Sequence, residues 1–347
     1  MTSFFKAQKQ KGTALIVVLL LVATLSFIVL AIVDKTVNTV QRTGASMART
    51  QIHWREAGTE QLSKAVIFRA MSVAGGDVFT EAHPLFTAPY PIPFPQGSGV
   101  LALADATRCF NINSLVSANA DDGLGRNEAG VDEFKRMAIK LGLGEGEIDE
   151  ISDVVIDWID SNSSQELRGA EDGFYTNLPV PFRSGGSLLA SVTELRAMKG
   201  MSNEIYETLA PFLCAYLTPA PNVINVNFLR PQDAPLLAAA LREEIDLVTI
   251  NEFIAQRPPG GYQSKEEVIA LPAFAPLRPR EDENNNQNGD EEDKSELLER
   301  LDVKSSHVEV AVQLEFNGIN IERRLLYSLP LGREPSLQRR TRGGPDR

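Results

Sequence analysis

The amino-acid sequence predicts an α+β fold in which a long N-terminal helix packs on a small antiparallel sheet and a large helical domain is inserted. An apolar run at residues 13–33 continues as an amphipathic stripe to near Met71, which predicts the long helix. Residues 113–280 contain short apolar-periodic segments that end at glycines or polar residues, a pattern typical of helical hairpins. Two alternating segments flank Asn317-Gly318 and predict a terminal β-hairpin. The order of these elements indicates that the helical block interrupts a smaller α/β unit.

Residues 13–33 predict one membrane-spanning helix. Among these 21 residues only two threonines and one serine are polar. A helix of that length, at about 1.5 Å per residue, crosses a hydrocarbon core about 30 Å thick. Three lysines and no acidic residue precede the run, so the positive-inside rule keeps residues 1–12 in the cytoplasm and places the bulk of the chain outside it.

The basic leader ends in Lys11-Gly12-Thr13, directly before the apolar run. This layout resembles the processing site of type IV pilin-like precursors, in which prepilin peptidase cuts after the glycine and the apolar helix becomes the mature N-terminus. Pilins and most pseudopilins have Phe at the first mature position and Glu at the fifth, where this sequence has Thr13 and Val17. The resemblance implies that this Glu, costly when unpaired in a bilayer, links a subunit to the one above it. A chain with Val17 lacks that link, which suits a filament tip; a plain signal anchor, in which Gly12 has no role, is the alternative.

The overall composition limits the class of protein further. The chain has 347 residues, 43% of them hydrophobic, which is enough for two modest domains with real cores. Its net charge of −12 argues against a nucleic-acid-binding surface, which requires a basic stripe. An acidic exterior outside the cytoplasm is better suited to divalent cations.

Two cysteines, Cys109 and Cys214, lie about a hundred residues apart. In an oxidising compartment they predict one long-range disulfide, which would contribute about 4–5 kcal/mol in the chain-entropy model. Two separate buried thiols are the alternative.

The region between the long helix and the hairpin contains several predicted elements. Residues 77–99, rich in proline, predict a loop, and the partly alternating residues 100–112 predict strands. Residues 132–140 and 148–159 predict a helix-turn-helix around LGLGEGE, and SVTELRAMKGMSNEIYETLAPFL predicts another that begins with a capping-box spacing.

The acidic and asparagine-rich residues 281–298 carry almost no apolar side chains, which predicts disorder. The predicted domains are the leader 1–12, the membrane helix 13–33, the helix continuation with loop and strands 34–112, the inserted α-domain 113–280, the linker 281–298, the C-terminal β-hairpin 299–330 and a flexible tail 331–347.

The stretch DWIDSNSSQELRGAEDGFYTNLP, residues 157–179, concentrates acidic residues at a predicted helix end. Oxygen ligands on a flexible loop are what Ca²⁺ coordination requires. An EF-hand is rejected, because Gln165 stands at the sixth position of the loop that would start at Asp160, where an EF-hand needs glycine. A solvated loop that caps the helix remains the alternative. The candidate oxygen ligands are Asp157, Asp160, Asn162, Glu166, Glu171 and Asp172.

The segments RCFNINSL, DWID, GAEDGFY, VPFR, SVTELRAMKGM, YLTP, INVNFLRP and RPPGGYQSKEEVIALPAF resemble the minor pseudopilin K family of the type II secretion system, also called general secretion pathway protein K. The resemblance covers nearly the whole chain except the acidic insert 281–298. It implies a type IV pilin-like fold with a large inserted α-domain and a non-enzymatic role in assembly.

The resemblance also implies partners, a cofactor and a location. The partners are minor pseudopilins I and J in a tip complex that initiates the pseudopilus and limits its length, with the major pseudopilin and the inner-membrane assembly platform as further contacts. The chain is placed in the inner membrane with its C-terminal bulk in the periplasm. The implied cofactor is Ca²⁺, held by Asp160, Asn162, Glu171 and Asp172, with Asp157 and Glu166 as secondary candidates.

The sequence gives less support to other functions. His53, His83 and His307 are scattered and form no catalytic pattern. Asp157, Glu171 and Asp172 are candidate carboxylates for a periplasmic glycoside hydrolase. A minor pilin of a type IV pilus or competence system shares the N-terminal pattern but is not expected to combine the GAED loop with the helical insert. DNA contact through the glycine turns of the helical hairpins is disfavoured by the acidic composition.

Overall fold

The computed structural model describes residues 13–72, 78–95, 97–119, 123–160, 162–278, 294–316, 318–330 and 332–343. The chain divides into two compact units, Met1–Thr59 and Glu60–Arg347. The helices are α1 (Thr13–Met71), α2 (Pro84–Thr87), α3 (Glu128–Lys140), α4 (Glu145–Ile159), α5 (Asp172–Thr176), α6 (Asn203–Leu209), α7 (Ala234–Ala240), α8 (Leu247–Ala255) and α9 (Lys265–Ile269). The strands are β1 (Tyr90–Phe94), β2 (Gly97–Asp105), β3 (Phe110–Asn111), β4 (Val116–Asn119), β5 (Gly123–Arg126), β6 (Leu213–Cys214), β7 (Ile224–Asn225), β8 (Leu301–Asp302), β9 (His307–Phe316), β10 (Ile319–Ser328) and β11 (Ser336–Arg342).

Helix α1 ends at Met71, where the sequence predicts its end. Within the described residues it is the one helix long and apolar enough to cross a membrane, and its apolar window is fully exposed. Thr24 Oγ1 donates to Leu21 O and Ser26 Oγ donates to Val22 O, at 2.9 and 2.8 Å. These hydroxyls are therefore satisfied by the helix itself, as a lipid environment requires.

The second unit contains a five-stranded sheet in the order β1-β2-β9-β10-β11, with all neighbours antiparallel. Alternate side chains of β9, from Val308 to Phe316, are buried, which is the period expected for a sheet with one covered face. Ile67, at the end of α1, belongs to the same apolar cluster, and Tyr327 Oη donates to Glu60 O at 2.9 Å. The predicted combination of a long helix and an antiparallel sheet is confirmed.

Strands β2 and β9 are neighbours in the sheet although residues 106–306 separate them in the chain. The described residues of this insertion form a second apolar core built mainly from short helices and 3₁₀ turns. We divide this insertion into a first module, residues 108–220, and a second module, residues 224–278.

Each module starts with two buried asparagines, of which the first lies in a two-residue parallel bridge and the second follows two residues later. These pairs are Asn111 and Asn113 in the first module and Asn225 and Asn227 in the second. In the first module Leu189 N donates to Asn113 Oδ1 at 2.8 Å, and Asn113 Nδ2 donates to Leu189 O at 2.9 Å. In the second module Tyr262 N donates to Asn227 Oδ1 at 2.7 Å, and Asn227 Nδ2 donates to Tyr262 O at 2.9 Å. In each module, one asparagine side chain therefore makes two hydrogen bonds to the backbone of a residue far along the chain. We call this arrangement of Asn113 with Leu189, and of Asn227 with Tyr262, the asparagine frame that the two modules share.

Several predicted elements differ from the structure. The predicted loop 77–99 contains α2 and β1, and β1 keeps Pro91 and Pro93 because an edge strand tolerates residues without an N–H. The predicted flexible tail contains β11, which pairs with β10. Residues 294–298 of the predicted disordered linker are helical, with buried Leu297 and Leu298, whereas residues 281–293 lie outside the described chain.

Helix boundaries also shift by a few residues. Helices α3 and α4 begin before the predicted residues 132 and 148, since acidic residues occupy their first turns. The segment that starts at Ser191 forms a 3₁₀ turn before α6, although the predicted capping box is present.

The predicted disulfide and hairpin are both present. Cys109 and Cys214 are bonded, with their Cα atoms 5.6 Å apart beside the β3–β6 bridge. Phe316 pairs with Ile319 across the turn between β9 and β10, and the turn residue Asn317 itself lies outside the described chain.

Candidate functional site

The acidic loop of the first module folds back over the C-terminal half of α4. Glu166 N donates to Asp157 Oδ1 at 3.0 Å and Arg168 N donates to Asp153 Oδ2 at 3.1 Å. Further along, Gly186 N donates to Trp158 O at 3.0 Å. The helix end and the loop therefore form one structure, in which the side chains of the last turn are covered.

Gly169 lies directly against the carboxylate of Asp157. A Cβ at position 169 would stand 1.9 Å from Asp157 Oδ2, a distance no side chain tolerates. After it, Ala170 is buried and the ring of Tyr175 packs edge-on against Trp158, with centroids 5.0 Å apart. The GAEDGFY motif thus combines a close approach at its glycine with an aromatic anchor at its tyrosine.

Three carboxylates at the end of α4 and in this loop each carry a buried oxygen that has no hydrogen-bond partner among the described residues. These atoms are Asp157 Oδ2, Asp160 Oδ1 and Glu171 Oε1. Asp157 is 1% exposed and Asp160, at the C-cap of α4, is 5% exposed. Buried polar atoms are satisfied in the great majority of cases, so three such atoms in one loop require an explanation.

Their electrostatic environment opposes three negative charges. Burial raises the pKa of Asp157 to about 7, with further raising contributions from nearby Glu171 and Asp160. Burial also raises the pKa of Asp160 to about 6, and the charge of Glu171 adds to this effect. The pKa of Glu171 is raised by burial and by Asp172. A bound cation would offset the repulsion between the carboxylates and would give each of these oxygens a partner.

The donor chemistry is that of a hard cation, because carboxylate oxygens suit Ca²⁺. Within the described residues no three His, Cys, Asp or Glu side chains stand arranged to hold a metal ion as they are. The three carboxylates have the charge and the oxygen atoms that such an ion needs. Their side chains would have to move closer to one another to coordinate it.

Of the other sequence-predicted ligands, one lies beside these three carboxylates and two have side chains that bind elsewhere. Asn162 Nδ2 donates to Asp160 Oδ2 at 2.6 Å, which places Asn162 beside the set. Asp172 Oδ1 accepts a hydrogen bond from Ser184 N at 3.1 Å, and Glu166 pairs with Arg126 at 3.3 Å. Asp172 and Glu166 thus hold the loop to its surroundings.

Two residues of the site were not among the sequence candidates. Gly169 is one, and its place within the GAED motif is a signal that could have identified it. Lys199 is the other: its Nζ donates to Arg168 O at 2.9 Å and to Gly169 O at 3.3 Å. No local sequence pattern links Lys199 to a loop thirty residues earlier.

The remaining predicted residues occupy separate places. Gly12 lies outside the described chain, Thr13 begins α1 and Val17 is exposed on it. Of the histidines, His83 caps α2 and His307 stacks on Tyr216 with ring centroids 3.8 Å apart. His53 is exposed on α1.

The long helix, the antiparallel sheet and the helical insertion define a pilin-like protein with an added domain. The chain is similar in fold to a chain in the crystal structure of the GspK-GspI-GspJ complex from the enterotoxigenic Escherichia coli type 2 secretion system. The TM-score is 0.68 at 22% identity, over 88% of this chain and 100% of that one.

Family models described as type II secretion system protein K match residues 108–220 and 224–288, together about half of the chain. The type II secretion system protein K of Pectobacterium carotovorum is 31% identical over 261 residues, covering 74% of this chain and 78% of that protein. The protein K of Dickeya chrysanthemi is 28% identical over 301 residues, covering 77% and 83%. The chain belongs to the type II secretion system protein K family.

Proposed function

We propose that this minor pseudopilin of the type II secretion system stands at the tip of the pseudopilus and initiates or caps its assembly. The observation that carries the proposal is the insertion of residues 106–306 between two neighbouring strands, β2 and β9, of a pilin-like sheet. A head enlarged in this way is too bulky to repeat along a stacked shaft. Val17 in place of glutamate removes the link to a subunit above, which supports the same position.

The partners we propose are minor pseudopilins I and J. The structural neighbour comes from a complex whose three components are GspK, GspI and GspJ. The proposal extends to contacts with the major pseudopilin and the inner-membrane assembly platform. We also propose that prepilin peptidase cuts the chain between Gly12 and Thr13. The mature chain would cross the inner membrane once, with its bulk in the periplasm. The proposed role is in assembly, without catalysis.

We further propose that the acidic loop binds Ca²⁺ through Asp157, Asp160 and Glu171. The buried oxygens of these three carboxylates that have no partner among the described residues support this set. Compared with the sequence candidates, Asp157 is added, whereas Asp172 and Asn162 are set aside because their Oδ1 atoms already accept hydrogen bonds from Ser184 N and Ser164 N. Ca²⁺ would neutralise the loop and join the end of α4 to residues 160–171.

Thermal unfolding of the full chain in detergent, with calcium or with chelator, tests the calcium proposal. We expect calcium to raise the midpoint and expect Asp157→Ala, Asp160→Ala or Glu171→Ala to abolish the rise. Asp172→Ala serves as the matched control and should retain most of it. An unfolding midpoint of the parent chain that does not change with calcium would contradict the calcium proposal and leave the loop as a solvated helix cap.

Substitution of Val17 tests the tip position. Because bulk still prevents stacking, we expect Val17→Glu to leave pseudopilus initiation largely intact in a secretion assay. Loss of initiation in this variant, at normal protein levels, would contradict the tip account. Failure of pseudopilins I and J to co-purify with the parent chain would contradict the proposed partners.

A further inference from the structure

A groove in the second module lies where the first module holds its acidic loop. One wall is the face of α8 formed by Thr249, Glu252, Phe253 and Gln256, which are spaced as neighbours on a helix. The opposite wall is the segment 271–273. Together with Pro258, Tyr262 and Glu267 these residues enclose a cavity of about 440 Å³, within the range of about 300–1,000 Å³ typical of ligand pockets.

The shared frame of the modules makes the two places equivalent. In the first module, the residue that follows Leu189 is Ala190, and its backbone N donates to Glu194 Oε1 at 2.8 Å. In the second, Gln263 N donates to Glu267 Oε2 at 2.7 Å. Lys199 and Pro272 lie five residues beyond these two glutamates. They therefore occupy corresponding positions opposite the second helix of their modules.

In the first module this space is filled by the chain itself. Arg168 N donates to Asp153 of α4, while Lys199 Nζ donates to Arg168 O across the space. Tyr175 is fully buried there, and its hydroxyl accepts a hydrogen bond from Lys199 N at 3.4 Å. An extended segment with one aromatic anchor is therefore the occupant that this architecture accommodates.

The second module has no loop to place there. Helix α8 ends at Ala255, and Tyr262 already occupies the frame position only seven residues later. In the first module, α4 ends at Ile159 and the equivalent Leu189 follows thirty residues later. The corresponding space is filled by the chain's own segment in the first module and is left open as a groove in the second.

The charge and surface of the groove indicate what would cover it. Among the described residues, its lining carries the carboxylates of Glu252 and Glu267 and no lysine or arginine. Within the described residues Glu252 forms no ion pair, and it is exposed at the groove rim. The rings of Phe253 and Tyr262, which are 5% and 4% exposed, stack with centroids 5.6 Å apart and contribute the aromatic part of the lining. Aromatic grooves of this kind receive extended peptide segments.

We propose that this second-module groove binds an extended segment of a partner protein that carries an apolar or aromatic anchor next to a lysine or arginine. The segment takes the place that residues 168–175 take in the first module. The acidic residues 281–293 of the same chain carry the same charge as the groove and are a poor match. This inference goes beyond the tip role.

Site-specific photo-crosslinking in the full chain, expressed with its secretion machinery, tests the inference. The crosslinking residue replaces Gln256 in the groove or, as a control, Val248, which is 68% exposed on the same helix and does not line the groove. We expect a crosslink from position 256 and not from 248, mapped by mass spectrometry to a partner segment with an apolar residue beside Lys or Arg. Equal crosslinks at both positions would overturn the proposal.

Two variants separate groove binding from loss of folding. Glu252→Lys should reduce the crosslink about fivefold at low salt, whereas Glu207→Lys, an equally exposed reversal on α6, should leave it unchanged. Ala273→Trp, which fills the groove, should abolish it. A crosslink that survives both groove variants, or that maps to this chain or a second copy of it, overturns the proposal. Co-purification of pseudopilins I and J, measured in parallel, reports the proposed function separately.

Discussion

The first and second modules share an asparagine frame but differ in what covers their second helix. In the first, a long loop folds over α4 and buries Asp157 and one carboxylate oxygen of Glu171. In the second, α8 is joined to the frame by a short connection and its face borders an open groove. The frame fixes the fold of each module, whereas the connection after the second helix decides which ligand chemistry the module presents.

The frame asparagines provide the largest expected effect. Asn113→Ala and Asn227→Ala should each lower the free energy of unfolding by about 3–5 kcal/mol, because each leaves several buried backbone groups unpaired at about 1–3 kcal/mol apiece. Asn251→Ala, an exposed asparagine on α8, is the control and should change it by less than about 0.5 kcal/mol. Chemical denaturation of the three variants measures this. A large effect in one module alone would show that the frames are not equivalent.

Glycine substitutions compare the connection that covers α4 in the first module with the short connection after α8 in the second. Gly169→Ala should destabilise the protein by about 2–3 kcal/mol, because its Cβ would overlap Asp157 Oδ2. Gly260→Ala, in the short connection of the second module, meets nothing within 4 Å and should stay within about 0.5 kcal/mol of the parent. Thermal unfolding compares the two, and equal losses would contradict the packing described for the GAED motif.

A pH dependence is expected from the first module when calcium is chelated. Folded Asp157 has a pKa of about 7, against 3.8 for an ordinary aspartate, so the folded state binds more protons between these values. The free energy of unfolding should therefore fall as pH rises from about 5 to about 8. Asp157→Asn should flatten this slope, measured as midpoints across the pH series. Stability that rises over this range in the chelated parent protein would be the contrary result.

The smallest expected effect concerns the turns between the two helices of each module. Gly142 has φ of 93° after α3, and Arg242 has φ of 50° at the corresponding position after α7. Both positions end their helix with the same bonds, since Leu143 N donates to Ala138 O and Glu243 N donates to Ala238 O.

Because left-handed backbone favours glycine, Arg242→Gly should be more stable than Arg242→Ala by about 1 kcal/mol. Gly142→Ala should lose a similar amount. Comparing two substitutions at position 242 cancels the loss of the arginine side chain, and equal midpoints for them would disprove strain at this turn.

The sequence was informative where one pattern persisted over many residues. The apolar run of α1 and the strict alternation of β9 predicted both elements, although the apolar run of α1 is exposed and only β9 buries its alternate side chains. Strand β11 has no such pattern. Three of its seven residues are arginines, and it is held by pairing with β10 and by the bidentate contact of Arg340 with Glu60 at 2.8 Å.

The candidate cation site shows the same limit. The sequence identified the acidic loop and two of the three carboxylates with unpartnered oxygens as principal candidates, Asp160 and Glu171. It placed Asp172 among the principal candidates and Asp157 among the secondary ones, because composition does not distinguish a buried carboxylate from an exposed one. Burial distinguishes them, and burial depends on Gly169 closing over Asp157 while Asp172 turns to Ser184.

By itself, the sequence determined the anchoring helix, the sheet's central strands, the disulfide partners and the acidic character of the loop, since each is written in local pattern, count or charge. Only the tertiary structure decided which carboxylates lose their solvent, and that the second module keeps an open groove where the first is filled. Desolvation and shape arise from contacts between residues far apart in the chain, such as Asn113 with Leu189 and Asn227 with Tyr262. No local pattern specifies those contacts.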